Sequence, residues 1–336
     1  TAYGSLYYIK FGTNYKMIKW GMVGNSHDAS LAVFDENKLL WAALSKDFSD
    51  VDNDPDFNWT LLEVARQSFG PPSEIYWYER PFLKTLRQLR AGQGWLWSEN
   101  NIRTYLKRWS LDVPIKYTTH HLSHAAYAFY TQPNENCAII CLDSIGEFET
   151  LTMWHGKNNK LRKIYSQRYP HSIGLFYSAM TQRIGLQPQR DEYKVADMAT
   201  QGDPLRLYRS MNRDILGYGR GLMFHTKENL HRGCRWWRPD LHTKQDMHDI
   251  AATTQMVFEE TLRSLSYRAF HDTDSHNLCI AGGGALNKQG VEKISKDWEN
   301  IYVPPNPGDP GSCIGAILAH TKTKIVSVDK RWYQKV

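Results

Sequence analysis

Apolar runs separated by short polar turns divide the chain into a series of strands and helices. Short, mostly apolar runs predict strands at 18–24, 30–34, 38–44, 74–78, 137–143, 151–155 and 277–280. Apolar residues at helical spacing predict helices at 61–69, 82–90, 122–130, 174–186, 247–270 and 312–321. Each half of the chain begins with a strand–turn–strand unit. This repetition indicates a duplicated α/β architecture with a cleft between the halves.

The length of 336 residues, 41% of them hydrophobic, allows two subdomains or one large domain. We place the boundary near residue 135, with a first half at 17–135 and a second half at 136–336 that includes the C-terminal helix. Residues 1–16 are rich in tyrosine and carry no clear pattern. We expect them to be an extension, with Met17 as the natural start, and an edge strand is the alternative.

The cysteines argue for a reducing compartment. Their number, five, is odd, most lie within apolar runs, and no CxxC pair exists. We therefore expect reduced, mostly buried thiols. The sequence has neither a long apolar stretch nor a signal peptide, so we expect a cytoplasmic protein with no membrane partner (host cytoplasm if the protein is viral).

The positive charge is concentrated in an insertion at about 205–244. This segment holds nine Lys/Arg and three acids, and nine minus three gives +6, which equals the net charge of the whole chain. Aromatic residues are interleaved with the cations, as suits unpaired bases and phosphates. The alternative is an irregular insertion whose tryptophans pack inward. We expect nucleic-acid contacts from Arg220, Arg232, Arg235, Trp236, Trp237 and Arg238.

Two histidines and two turn-borne aspartates supply enough ligands for one metal ion. His120 and His124 are four residues apart, so on a helix their imidazoles share a face. His121 and His124, at three-residue spacing, form a competing pair. Asp143 ends an apolar strand, where an unpaired buried carboxylate would be costly. Asp309 lies in a Pro/Gly-rich turn before a helix, where ordinary N-capping is the alternative.

His27 and Asp28 occupy the turn between the first two strands. A histidine there can act as a general base, and a surface histidine in an Asx turn is the alternative. Glycines 282–284 form a turn that opens a helix, where backbone N–H groups can approach phosphate oxygens. The residues that we expect to contact an anionic donor are Ser144, Gly146, Lys194, Gly283, Gly284 and Asn287.

An ordered series of motifs resembles the O-carbamoyltransferase family, which acts on antibiotics and nodulation-factor sugars. The motifs are HDAS (27–30), HHLSHAAYAFY (120–130), CLDSIGE (141–147), SIGLFYSAMTQRIGL (172–186), EYKVADMATQGDP (192–204), LCIAGGGALN (278–287) and PPNPGDPGSCIGAIL (304–318). The resemblance implies the actin/Hsp70/sugar-kinase fold, with two ribonuclease-H-like halves around a nucleotide cleft. It also implies that His120, His124, Asp143 and Asp309 hold iron or another divalent transition metal, and that His27 lies at the transfer site.

The sequence departs from this family at two places. Leu-Ser-Lys-Asp-Phe-Ser at 44–49 replaces the usual acidic-arginine motif. The C-terminal domain that activates carbamoyl phosphate with ATP is not found in the 15 residues after the last helix. We therefore expect direct use of carbamoyl phosphate, or carbamoyl-adenylate supplied by another protein, while ATP or ADP can still bind in the cleft.

The expected function is carbamoyl transfer to a hydroxyl. The basic-aromatic insertion favours the hydroxymethyl group of a modified pyrimidine in DNA, such as 5-hydroxymethylcytosine, as in phage-type enzymes of the family. Three alternatives stay open: a small sugar or antibiotic as acceptor, threonylcarbamoyl transfer to tRNA, and a non-catalytic nucleotide-binding protein of the same fold.

Overall fold

Two five-stranded sheets form the framework of the protein. The structure is a computed structural model that describes residues 17–217, 221, 223–325 and 327–334, so the interpretation of residues 1–16 lies outside it. The first sheet contains β1 (Ile18–Val23), β2 (Ser30–Asp35), β3 (Lys38–Leu44), β4 (Glu74–Trp77) and β5 (Ile115–Tyr117). The second contains β6 (Asn136–Gly146), β7 (Glu149–Lys157), β8 (Lys160–Arg168), β9 (Asn277–Ala281) and β10 (Asn300–Tyr302).

The two sheets have the same topology. The strand orders are β3-β2-β1-β4-β5 and β10-β9-β6-β7-β8, so the first strand of each half is central. In each half the next two strands form an antiparallel meander, and the last two are parallel to the central strand. This repeated order is that of two ribonuclease-H-like halves, and the predicted actin-like α/β fold is confirmed.

Eleven α-helices lie within the described residues. They are α1 (Lys46–Ser49), α2 (Trp59–Phe69), α3 (Pro81–Arg90), α4 (Ile102–Lys107), α5 (His120–Tyr130), α6 (Ile173–Arg183), α7 (Glu192–Ala199), α8 (Tyr208–Asp214), α9 (Lys244–Thr273), α10 (Lys288–Ile294) and α11 (Ser312–Thr321). Local capping fixes several starts. Thr243 and Asp246 form a reciprocal capping box at α9, and the Asn58 side chain accepts from Leu61 N at α2.

Helices α5 and α11 form a layer between the two sheets. Glycines permit the close packing, since a Cβ added at Gly21 would lie 1.8 Å from the Cys313 carbonyl oxygen, and one added at Gly315 would lie 2.0 Å from that of Ser123. One face of β6 and the first sheet share a hydrophobic core with α5 and α11. The other face of β6 packs against α6 and α9. The C-terminal helix, which the sequence assigns to the second half, thus lies in the middle layer.

The elements that the apolar pattern did not predict are short or polar. Strand β8 has the sequence KLRKIYSQR and is an outer strand of its sheet, while β5 and β10 have three residues each. All five cysteines are buried and free, as predicted. Within the described part of the chain, no helix combines the length and apolar character needed to cross a bilayer.

Candidate metal centre and transfer site

Four predicted ligands converge at one end of the middle layer. His120 and His124 lie on the first turns of α5, Asp143 lies near the end of β6, and Asp309 begins the short 3₁₀ turn that leads into α11. One ligand atom from each residue lies within 4.8 Å of all the others. Gly308 and Gly311 occupy the N-cap positions of this turn and of α11, so the N-capping alternative does not explain Asp309.

The spacing of these atoms fits a metal coordination shell. His120 Nε2 lies 2.8 Å from Asp143 Oδ2, 3.2 Å from Asp309 Oδ1 and 3.0 Å from His124 Nε2. His124 Nε2 is 3.6 Å from both carboxylates. Metal–ligand bonds of about 2.1 Å place neighbouring ligand atoms about 3.0 Å apart at right angles and about 3.4 Å apart in a tetrahedron. Two imidazoles with two carboxylates suit a divalent transition metal.

The alternative pair of His121 and His124 is not supported by the geometry. His121 Nδ1 lies 2.9 Å from Thr152 Oγ1, and its ring is fully buried. Burial lowers the pKa of His121 to about 3, so it is a neutral core histidine. Residue spacing alone did not separate the two pairs, because both spacings place histidines on one helix face.

Charge complementarity holds the cluster together. Burial alone would lower the pKa of His120, but the carboxylates of Asp309 and Asp143 outweigh it and raise this pKa well above its usual value. Burial would likewise raise the pKa values of the two aspartates, and the facing histidines lower both instead. The ionised carboxylates are thus stabilised in a site that is nearly closed to solvent.

Gly146 packs against the histidines of the candidate metal site. A Cβ at this position would lie 2.4 Å from His120 Cδ2, 2.6 Å from His120 Cγ and 2.8 Å from His121 Cδ2. The residue is buried, so its predicted contact with a donor is replaced by a contact with the histidine rings. Glycine at 146 therefore sets how closely β6 can approach α5.

The β1–β2 turn brings His27 and Asp28 to the same cluster. His27 Nε2 lies 3.7 Å from Asp309 Oδ2, and His27 Nδ1 lies 3.0 Å from Asp28 Oδ2. Burial acts to lower the pKa of His27, but Asp309, Asp28 and Asp143 together raise it to about 9. In the neutral ring, a hydrogen bond from Nδ1–H to Asp28 selects the tautomer in which Nε2 carries the lone pair, and with this pKa the neutral ring is the minor form at pH 7. The side chain is 38% exposed, so a substrate can reach it.

The glycine turn lies directly beside Asp143. A Cβ added at Gly283 would be 3.5 Å from Asp143 Oδ1, while one added at Gly284 would be 2.6 Å from Leu142 Cβ. Gly282 adopts a φ of 85° and donates its N–H to the Pro307 carbonyl 2.8 Å away, which ties this turn to the one that carries Asp309. Gly283 is exposed, so this turn leaves an accessible surface next to the cluster.

The other expected donor contacts are placed differently. Ser144 follows Asp143 and donates its N–H to Asp143 Oδ1 at 2.8 Å. Lys194 Nζ forms an ion pair with Asp191 Oδ1 at 2.8 Å. Asn287 caps α10 by accepting from Gly290 N at 2.9 Å, and its amide donates to Gln255 Oε1 at 2.8 Å. The polar groups of Lys194 and Asn287 are therefore already engaged within the protein.

The structure corrects part of the predicted nucleic-acid surface. Trp237 is 1% exposed, and its Nε1 donates to Asp214 Oδ2 at 3.1 Å, so it is a core residue that cannot stack on a base. Phe224 is also buried. Trp236, by contrast, is 54% exposed. The alternative of inward-packing aromatic side chains thus holds for Trp237 and Phe224, and not for Trp236.

Local ion pairs reduce the free charge of the same insertion. Arg206 pairs with Asp246 and Asp249, Arg213 with Asp214, and Arg238 with Asp240. Arg238 is thereby largely neutralised as a phosphate contact. Arg232 and Arg235 are exposed, and the described carboxylates form no ion pair with either. Arg220 and Tyr218 lie outside the described residues.

Several buried charged residues beside the cluster were not predicted. Lys84 Nζ lies 2.7 Å from Glu79 Oε1 and donates to the Asn25 carbonyl at 3.2 Å, within the turn that carries His27. Glu147 Oε1 accepts from Arg80 N at 2.6 Å, and burial raises the pKa of Glu147 to about 7. Glu79 comes two residues after the buried strand β4, a position like the one that identified Asp143 at the end of an apolar run.

Comparisons with known proteins agree with the motif series. The family described as Carbamoyltransferase N-terminus matches residues 75–318. An uncharacterized protein of Synechocystis, sll1178, is 28% identical over 346 aligned residues, covering 89% of this chain and 56% of that protein. Nodulation protein NolO of Bradyrhizobium diazoefficiens is 30% identical over 207 residues, covering 59% of this chain and 37% of its own length.

The chain therefore spans about half the length of the first relative and about a third of NolO. Among solved structures, component A of (R)-2-hydroxyglutaryl-CoA dehydratase from Acidaminococcus fermentans aligns with a TM-score of 0.45 and 11% identity, over 91% of this chain and 99% of that one. The fold assignment rests on the strand order of the two sheets and not on this likeness.

Proposed function

This chain belongs to the carbamoyltransferase family, and on that premise we propose that it transfers a carbamoyl group to a hydroxyl of a modified pyrimidine in DNA. A divalent transition metal, with Fe²⁺ as the first candidate, would be held by the four converging ligands. The observation that carries the proposal is the position of His27, whose Nε2 lies 3.7 Å from the ligand carboxylate of Asp309. A candidate base thus lies next to the candidate metal ligands, within reach of the same substrate.

The donor would be an anhydride of carbamic acid and a phosphate, either carbamoyl phosphate or carbamoyl-adenylate. When bound, the metal supplies Lewis acidity that polarises the carbamoyl carbonyl or stabilises the phosphate that leaves. Gly283, the exposed residue of the glycine turn at 282–284, offers backbone to the phosphate next to Asp143. Support for this placement is the hydrogen bond between Gly282 N and Pro307 O, which holds the two turns together at 2.8 Å.

His27 would act on the acceptor. In the neutral form of the ring, Nε2 takes the proton of the acceptor hydroxyl while the hydroxyl oxygen forms a bond to the carbamoyl carbon. The carbon–oxygen bond to the phosphate breaks, and the phosphate leaves with that electron pair. The Asp28 carboxylate, 3.0 Å from Nδ1, orients the ring and stabilises the imidazolium that forms.

The DNA acceptor is supported by the unpaired cations of the insertion. Arg232, Arg235 and Trp236 are exposed, as a phosphate- and base-contacting surface requires. A hydroxymethyl group in a duplex lies in the major groove, whereas the four ligands are almost closed to solvent. The target nucleotide must therefore leave the stack, or the substrate must be single-stranded.

The test is mass spectrometry of nucleosides after incubation with Fe²⁺-loaded protein. The acceptors are plain DNA, DNA containing 5-hydroxymethylcytosine, tRNA and a sugar, each with carbamoyl phosphate in the presence and absence of ATP. A mass gain of one carbamoyl on the hydroxymethylated nucleoside alone is expected. A gain on the sugar alone would replace DNA by a small-molecule acceptor. No gain with any acceptor, from protein that binds the metal, would refute carbamoyl transfer by this chain with these donors.

A further inference from the structure

We propose that an arginine–aromatic rim on the first half, beside the transfer site, binds the single DNA strand that flanks the target nucleotide. The rim consists of Phe82, Arg87, Arg90, Trp95, Trp97 and Arg232. It deepens the proposed function, on which it rests, by placing most of the acceptor contacts on α3 and the loop after it. The basic insertion contributes only Arg232 to it.

Large apolar side chains are exposed along this surface. Phe82 and Trp95 are each 53% exposed and Leu89 is 49% exposed. Phe82 and Trp97 make an edge contact, with ring centroids 6.3 Å apart. Exposed aromatic side chains grouped in this way are typical of a binding surface. Their faces can stack on bases of any sequence.

Positively charged side chains lie next to these aromatic side chains. Residues 79–112 contain seven Lys/Arg and three acids, so seven minus three gives a local excess of +4, with Lys84 paired to Glu79 and Lys107 to Asp112. On α3, Phe82 and Leu89 are seven residues apart and share one face, while Arg87 and Arg90, three apart, occupy the adjacent face. A polyanion carrying flat rings complements a cationic stripe that runs beside an aromatic one.

The rim is tied directly to the transfer site. Glu99, at the end of the loop that contains Trp95 and Trp97, accepts a hydrogen bond from Asn25 Nδ2 through its carbonyl at 2.7 Å. Asn25 lies two residues before His27 in the β1–β2 turn. On the other side, Arg87 Nε donates to the Glu147 carbonyl at 3.2 Å, just after the strand that carries Asp143. A single DNA strand bound to the rim would therefore pass close to His27 and Asp143.

Both halves of the protein contribute to the rim. A Cβ added at Gly92 would lie 3.9 Å from Arg232 Nη2, so this guanidinium reaches the loop after α3. His231, its neighbour, packs edge-on against the Tyr169 ring with centroids 5.7 Å apart. Arg232 thus brings the basic insertion of the second half to the aromatic loop of the first.

Fluorescence anisotropy with a labelled single-stranded oligonucleotide tests the rim. The variants are Trp95→Ala/Trp97→Ala and Arg90→Ala/Arg232→Ala. The matched controls are Tyr267→Ala, an aromatic residue that is 74% exposed on α9, and Arg263→Ala/Lys296→Ala, two exposed cations elsewhere on the second half. Bound metal is measured in every variant as a check on the integrity of the cluster.

We expect the double tryptophan variant to bind the oligonucleotide at least about 25-fold more weakly, since each lost stack costs about 5-fold or more. The double arginine variant should reduce the slope of log affinity against log salt by about 1.4. Single-stranded or mismatched DNA should bind better than matched duplex. In the rim variants, the rate of carbamoyl transfer to an oligonucleotide should fall relative to the rate of transfer to the free nucleoside, in parallel with the loss of DNA affinity. Both controls should behave as wild type.

Rim variants that bind DNA as the controls do would overturn the proposal. Wild-type protein that binds no DNA at low salt would also overturn it. In that case, a smaller sedimentation coefficient for the tryptophan variant than for wild type would assign the surface to contact between protein chains. Rim-dependent DNA binding without carbamoyl transfer to any acceptor would support the rim and refute the proposed function, so the two failures are distinguishable.

Discussion

An added methyl group at position 146 would push the His120 ring away from the carboxylates that it faces. In Gly146→Ala the new Cβ would lie 2.4 Å from His120 Cδ2, whereas carbon atoms in comfortable contact are about 3.5 Å apart. Gly146 is not among the glycines with positive φ, so alanine is compatible with the backbone and the contact is the main effect. The ring must therefore move by about 1 Å.

A displacement of this size exceeds what a metal site tolerates. Coordination distances hold to within about 0.2 Å, and a misplacement of about 1 Å in a functional group costs about 100-fold. We therefore expect Gly146→Ala to weaken metal binding by at least about 100-fold, equivalent to about 2.7 kcal/mol. The assay is titration of metal-stripped protein with Fe²⁺ or Zn²⁺ against a competing chromophoric chelator, with circular dichroism and urea unfolding as checks on the fold.

Two further variants make this test decisive. In Gly308→Ala the nearest atom to the added Cβ is Pro310 Cδ at an ordinary 3.7 Å, so metal affinity should stay near wild type although the change adjoins Asp309. Truncating the ring removes the two shortest contacts and leaves the one to His121 Cδ2 at 2.8 Å, so Gly146→Ala/His120→Ala should bind metal about as weakly as His120→Ala alone. Folded Gly146→Ala protein with wild-type metal affinity would refute the reasoning.

Three other predictions follow from the buried and exposed groups around the site. Burial raises the pKa of Glu147 from its ordinary 4.5 to about 7, so ionisation of this carboxyl opposes folding as the pH rises through that range. Urea unfolding should show metal-free Glu147→Gln to be more stable than wild type at pH 8, by up to about 3 kcal/mol, with no gain at pH 4; equal stability at pH 8 would contradict this. Thermal or urea unfolding should show a loss of about 3–5 kcal/mol for Trp237→Ala and a change within about 0.5 kcal/mol for Trp236→Ala; similar losses would show that their burial is misassigned. His27→Gln should lose at least about 100-fold in carbamoyl transfer, measured by nucleoside mass spectrometry, while metal content stays at the wild-type level; full activity would remove His27 from the mechanism.

The sequence predicted the parts of the fold in which local pattern and tertiary environment agree. The central strands β1 and β6 are largely buried on both faces, and apart from Lys19 they read as apolar runs up to Val23 and from Cys137 to Leu142. Strand β8 was missed because its charged residues stand on an outer strand, where pairing with β7 replaces burial as the stabilising interaction. Helix α11 was predicted, but its position between the sheets depends on Gly21 and Gly315, whose role appears only when the elements pack.

The same distinction applies to the candidate site. The four predicted ligands flank apolar strands or begin helices, so local pattern pointed to each, and the structure brings them together. The choice between His120 and His121 depends on Thr152 of β7, which forms a hydrogen bond with His121 and is distant in sequence from both histidines. Trp236 and Trp237 are neighbours in an irregular segment with no period to follow, and their opposite burial is decided by Asp214 and the core beneath. The Lys84–Glu79 pair likewise lies at the site only because Lys84 donates to the carbonyl of Asn25, 59 residues away, which the local sequence does not indicate.

Because the site is built from both halves of the protein, its internal distances depend on how the two sheets are oriented. Three of the candidate ligands, His120, His124 and Asp309, belong to the middle layer, Asp143 belongs to the second sheet, and His27 lies in the turn between β1 and β2 of the first. Any rotation of one sheet against the other changes either the distance from Asp143 to the remaining ligands or the distance from His27 to all of them. The distances among the candidate ligands therefore depend on the angle between the two sheets, and a spectroscopically active metal bound there would report that angle.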